Sequence, residues 1–211
     1  MNYLERPLRT YLEDAASGRP TPGGGSVSAL AGALGVTMAE MAANFTLGRE
    51  QFRDVAPEVM ELVTALTGVR SKLLDLMEKD IVAYGQVASA YGRPRATEEE
   101  KAARARAIQE ALAVALEAPL AAMRVATEAL AATRRLVEVA NPNLVSDVGV
   151  AAELLWGALR GARLNVDVNL AHLKDEGLVG RFRREADALE AEARTSRAET
   201  VEIVSRKLQR T

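Results

Sequence analysis

The sequence predicts an all-α protein, a compact bundle of long helices forming one domain over residues 1–211. Three observations carry that reading. Glycine and proline punctuate the chain at only a few places. The stretches between them are rich in Ala, Leu, Glu and Arg, the strongest helix formers. A hydrophobic content of 48% over 211 residues supplies the core of a single good-sized domain. No repeat with a period of roughly 20–50 residues and no low-complexity stretch is present, which excludes a solenoid and a disordered linker.

Element by element, a first helix is expected over residues 3–17, followed by a loop at 18–25 that ends in Gly23, Gly24 and Gly25. A second helix follows to about residue 47, and a third over 57–91. After the break at Gly92-Arg93-Pro94, Thr97 and three glutamates form a helix start, with a cap residue and acids that complement the helix dipole. This fourth helix is expected to reach the 130s with a bend at Pro119, where proline removes a hydrogen bond. Asn141-Pro142-Asn143 breaks the chain again. Asn143 or Ser146 caps a fifth helix to about residue 174, and a polar last helix covers 178–210. Small residues at helical spacing, Ala29/Gly32/Gly35 and Gly149/Gly157/Gly161, predict close packing of helix backbones.

Composition narrows the chemistry. The 27 basic and 29 acidic residues are interspersed and leave a net charge of −2, which argues against a nucleic-acid surface. There is no cysteine and one histidine, His172, so thiolate chemistry is excluded and no transition-metal site is expected. The Glu-x-x-His pairs of a di-iron bundle are missing. The first residues are charged throughout and do not read as a secretory signal. The most apolar run, 27–43, is interrupted by Glu40 and short for a bilayer span. A cytoplasmic protein without a membrane partner is expected.

Four features remain as candidates for function. The three glycines at 23–25 are costly to order, so either the turn needs unusual dihedrals or something approaches the backbone closely. They lack the Gly-Lys-Ser/Thr of a P-loop and the strand of a dinucleotide fold. A tight turn and a ligand-contacting turn both stand. On a wheel of 100° per residue, Asp80 shares a face with Leu73, Met77, Ile81, Tyr84, Ala88 and Tyr91. A carboxylate aimed inward must be hydrogen-bonded, paired or protonated, and serves either proton transfer or a structural link. On the fifth helix Asp147, Ala151, Leu154, Ala158, Asn165 and Asn169 project to one side. Asp147 and Asn165 are five turns apart, about 27 Å, so one small pocket cannot contain both. Ser146 and Asp147 otherwise cap the helix, and the two asparagines otherwise link helices. His172 is explained by the helix C-terminus, and the arginines at 181, 183 and 184 by a solvated face.

Taken together, PGGGS at 22–26, TLGREQF at 46–52, Asp80 with Ala83-Tyr84, NPNLVSD at 141–147 and NVDVN at 165–169 resemble the formiminotetrahydrofolate cyclodeaminase and methenyltetrahydrofolate cyclohydrolase family over nearly the whole chain. The resemblance implies an all-helical homodimer that binds a folate substrate with no metal and no other cofactor. It implies Asp80 as the catalytic acid or base. The residues after it, Ile81 and Val82, replace the Ala and acid usual in the family and make the pocket more apolar. It further implies folate contacts from Gly23, Gly24, Gly25 and Ser26, from Tyr84, and from Asn165 and Asn169. Ser146 and Asp147 are expected at the pterin edge and Arg49 on the glutamate tail, by bidentate pairing with carboxylate. The expected reaction is the cyclodeaminase one, with the cyclohydrolase reaction or a non-catalytic folate-binding dimer as alternatives.

Overall fold

The computed structural model describes residues 2–209, and within them every regular element is a helix. A short 3₁₀ turn, Tyr3–Glu5, precedes α1 (Leu8–Ala16). The two are separate, where the sequence predicts one helix, because Pro7 pushes Arg6 into an extended conformation, φ −112° and ψ 157°. The remaining α-helices are α2 (Gly24–Asn44), α3 (Ala56–Tyr91), α4 (Glu98–Ala115), α5 (Glu117–Val139), α6 (Val145–His172) and α7 (Glu176–Leu208), with 3₁₀ turns at Glu50–Val55 before α3 and Pro142–Leu144 before α6.

The predicted bend at Pro119 is a break placed one turn earlier. Proline has no N–H to bond the carbonyl four residues back, and that residue is Ala115, where α4 ends. Leu116 keeps helical dihedrals, donates to Leu112 O and accepts from the Leu120 amide, so α5 follows α4 with no loop between them. The start of α4 is as expected: Thr97 accepts from the Glu100 amide while the Glu100 side chain accepts from the Thr97 amide. At the start of α6 the expected caps are absent. Leu144 is the N-cap, neither Ser146 nor Asp147 bonds a free amide, and Asn141 instead caps the preceding 3₁₀ turn through the Asn143 N–H. The start of α7 is held by Asp175, which accepts from the Leu178 amide.

α2 is the centre of the bundle, packed mainly on α6 and α3; α5 lies across α3 and α6, and α7 covers α5 and α6. Small residues make these approaches possible. A Cβ on Gly32 would meet Leu73 of α3 and Ala158 of α6 at 3.2 and 3.3 Å, and one on Gly35 would lie 3.0 Å from Leu155. Gly149 faces Val204 of α7 in the same way. Gly157 does not follow the expectation, because a Cβ there would meet nothing within 4 Å.

At 21 residues, with a window of mean hydropathy 1.3, α2 is long and apolar enough to cross a membrane by length and composition. The sequence puts it short of that. In the fold 61% of that window is buried, and Glu40 is tied to Arg70 and Thr67 of α3.

Candidate active site

The glycine run is resolved by its neighbours. None of the three glycines has a positive φ; among the described residues only Gly48 does, at 75°. Unusual dihedrals are therefore not the reason for them. Close approach is the reason: a Cβ on Gly25 would lie 2.1 Å from Asp80 Oδ1, and one on Gly24 would lie 3.3 Å from Asn165 Nδ2. α2 begins at Gly24, inside the stretch expected to be loop, and its N-cap Gly23 has no side chain to bond the free amides. Asp80 does that work from α3. Its Oδ2 accepts from the Ser26 N–H at 2.9 Å.

Burial pushes the Asp80 carboxyl above its ordinary value, and the Ser26 N–H opposes the shift. No cation pairs with it among the described residues. Behind this contact Ser26 is fully buried, and its Oγ shares a 3.0 Å hydrogen bond with the hydroxyl of Tyr11, the one buried residue of α1. The N-terminal segment is fixed to α3 beside it, since the Tyr3 amide donates to Glu78 at 2.8 Å and Tyr3 packs edge-on against Tyr11. Sequence reasoning missed Tyr11, whose only signal is an aromatic on the apolar side of α1.

Asp80 opens into a trough of about 680 Å³. Pro20, Thr21, Gly23 and Gly24 close one end. One wall is α3, with Ala83, Tyr84, Val87, Ala88 and Tyr91 after Asp80; the other is α6, with Asn165, Val168, Asn169 and His172; Leu112 and Ala115 of α4 complete it. Each wall repeats at helical spacing, 80/84/87/91 and 165/169/172, which brings single faces of two helices together. His172, set aside in the sequence, lies on that face. The i, i+4, i+7 spacing from Asn165 was the signal for it.

Tyr84 is 45% exposed on this wall and makes no hydrogen bond to Asp80, so the carboxylate is oriented by the Ser26 amide. The asparagines do not link helices. Asn165 Nδ2 donates to Gly161 O and Asn169 Nδ2 to Asn165 O, both within α6. Their side-chain oxygens accept no hydrogen bond among the described residues and are available to a ligand.

Of the sequence candidates, Gly23, Gly24, Asp80, Tyr84, Asn165 and Asn169 line the trough. Gly25 and Ser26 lie directly behind it. Arg49, Ser146 and Asp147 do not line it; they are at the other end of α2 and α6, about 30 Å along α2 from Gly24. There the two motifs at 46–52 and 141–147 meet each other. The buried Thr46 Oγ1 accepts from the Asn141 amide at 2.9 Å and donates to Ala42 O, and Asn141 Nδ2 reaches Phe45 O. The arginines at 181, 183 and 184 are exposed and Phe182 between them is buried, as a solvated face requires.

The same arrangement of helices recurs in known proteins. The model for formiminotransferase-cyclodeaminase matches residues 7–188. A methenyltetrahydrofolate cyclohydrolase from Methylorubrum extorquens is 37% identical over 95% of this chain and 97% of its own. The formimidoyltransferase-cyclodeaminase of Sus scrofa is 33% identical over 92% of this chain, which spans only 36% of that longer protein. The crystal structure of formiminotetrahydrofolate cyclodeaminase from Thermotoga maritima superposes with a TM-score of 0.87 at 31% identity, covering 96% of this chain and 97% of that one. Identity at this level, carried nearly end to end with the bundle intact, shows that the chain belongs to the formiminotransferase-cyclodeaminase family of folate one-carbon enzymes.

Proposed function

We propose that the protein acts on the one-carbon unit of tetrahydrofolate as a formiminotetrahydrofolate cyclodeaminase, with Asp80 as general acid and base. One observation carries the reading. Asp80 is the only carboxylate lining the trough among the described residues, and burial raises its proton affinity. In the cyclodeaminase reaction N10 attacks the N5-formimino carbon, and the tetrahedral adduct then expels ammonia to leave the 5,10-methenyl bridge. One group must accept a proton from the nucleophile and return it to the departing nitrogen. A carboxyl whose proton affinity is raised by burial suits both halves. Asn165 and Asn169 offer acceptors to the pterin edge, and Tyr84 offers a ring face.

A second reading, methenyltetrahydrofolate cyclohydrolase, is favoured by the end-to-end match to the Methylorubrum extorquens protein of that name. Water then adds to the same carbon, one C–N bond breaks, and Asp80 handles the same protons. Assaying 5-formiminotetrahydrofolate and 5,10-methenyltetrahydrofolate side by side, by methenyl absorbance, separates the two. Turnover of neither substrate sinks both readings. A protein that binds folate and turns over neither is the non-catalytic module instead.

The proposal extends to a homodimer. Arg49, Ser146 and Asp147 stand too far from Asp80 to share its ligand within one chain, so any folate contact they make crosses a subunit boundary. Light scattering at assay concentration tests this, and a monomer that retains full activity refutes it.

A further inference from the structure

We infer that Arg104 receives the anionic tail of the substrate, at the end of the trough away from the reacting carbon. The inference rests on the folate reading above. Among the described residues no lysine or arginine lines the trough, and His172 is its only basic side chain. A ligand that carries carboxylates must extend past the lining residues to meet a permanent cation.

From Asp80, α3 runs eleven residues to Tyr91, about 16 Å, and Tyr91 is the last lining residue on that wall. Arg104 of α4 is fastened there. Its Nε and Nη2 donate to Tyr91 O at 3.1 and 3.0 Å, and its guanidinium carbon lies 5.6 Å from the centre of the Tyr91 ring. Two bonds and a ring fix the plane of the group while Nη1 keeps its hydrogens free among the described residues.

Arg104 has no carboxylate partner among the described residues, whereas Arg134, Arg135, Arg163 and Arg197 each have one or more. Of the acids nearest in sequence, Glu98 pairs with Lys101 and Glu100 holds the amides of Ala96 and Thr97. Arg95, in the loop that leads into α4, also lacks an ion pair among the described residues. Capping the end of α3 uses two of the five N–H groups and leaves the others for a ligand.

The test compares substrates with and without the glutamate, namely tetrahydrofolate and tetrahydropteroate carrying whichever one-carbon unit is turned over. Arg104→Gln should raise KM for the folate about tenfold, leave kcat unchanged, and leave KM for the pteroate unchanged. Arg104→Lys should recover part of the loss. An equal rise on both substrates would reduce Arg104 to a cap on α3, and no rise on the folate would also overturn the inference. If the wild-type protein binds both compounds and turns over neither, the reaction is wrong, and dissociation constants decide the tail by the same comparison. Binding of neither refutes both.

Discussion

Gly25 and Asp80 are pressed so closely together that a methyl group on the glycine would overlap the carboxylate, at 2.1 Å from Oδ1. This contact joins the start of α2 to the middle of α3 and holds the Asp80 carboxylate against the Ser26 amide. Gly25→Ala must displace Asp80 or the first turn of α2. A loss of at least 100-fold in kcat is expected, with a stability loss of about 1–3 kcal/mol as for other overpacked sites. The neighbouring glycines grade the effect: Gly24→Ala should be milder, with 3.3 Å to the Asn165 amide, and Gly23→Ala mildest, with 3.6 Å to Pro20 O. Thermal melts and kinetics on the three variants check the order, and equal effects would refute the close-approach explanation.

Asp80→Asn should abolish turnover while leaving the helical circular dichroism unchanged. An active, folded variant removes Asp80 from the mechanism.

The same substitution has a signature in stability. Burial raises the carboxyl in the folded state, so folding favours its protonated form. That contribution is fully present below the unfolded-state value, about 4, and is lost as pH rises through the folded-state value. Asparagine does not titrate. The stability of Asp80→Asn relative to the wild-type protein should therefore improve as pH rises from about 4 and then level off. Urea unfolding over a pH series measures it, and a relative stability that falls with rising pH contradicts the raised carboxyl.

Tyr11 and Ser26 share one buried hydrogen bond, so their hydroxyls should be energetically coupled. Either single variant, Tyr11→Phe or Ser26→Ala, strands a buried polar group; the double variant strands none. A coupling of about 1 kcal/mol is expected from the double-mutant cycle. Strict additivity would show that the bond contributes nothing.

Far from the trough, Thr46→Val should cost about 1–3 kcal/mol, because it leaves the buried Asn141 N–H without its acceptor. Unchanged kcat in this variant would fit the distance of this contact from Asp80. A selective loss of kcat would link the two ends of the bundle.

Much of the fold was legible because helices are written locally. The capping box at Thr97, the breaks near Gly92 and Asn141, and the inward side of Asp80 follow from residue type and a 100° spacing. Other features depend on partners remote in sequence. Pro119 announces a disruption, but its break lies at the carbonyl it cannot bond, at Ala115. His172 carried a readable face with Asn165 and Asn169, yet only the neighbouring wall of α3 makes that face the side of a cavity. Ser146 and Asp147 are held away from Asn165 by five turns of their own helix, as the spacing predicts, whereas Arg49 joins them at that end because α2 and α6 lie antiparallel.

The sequence by itself determined an all-helical chain, the chemistry available to it without a thiol, an inward carboxylate on the third helix and a run of glycines before the second. Tertiary structure decided why the glycines are there. The run could have served a left-handed turn or a close approach, and dihedrals along the chain cannot distinguish them in advance. The meeting of Gly25 with Asp80 spans 55 residues and exists only once α2 has packed on α3, which is also when burial raises the carboxyl and the Ser26 amide finds its acceptor.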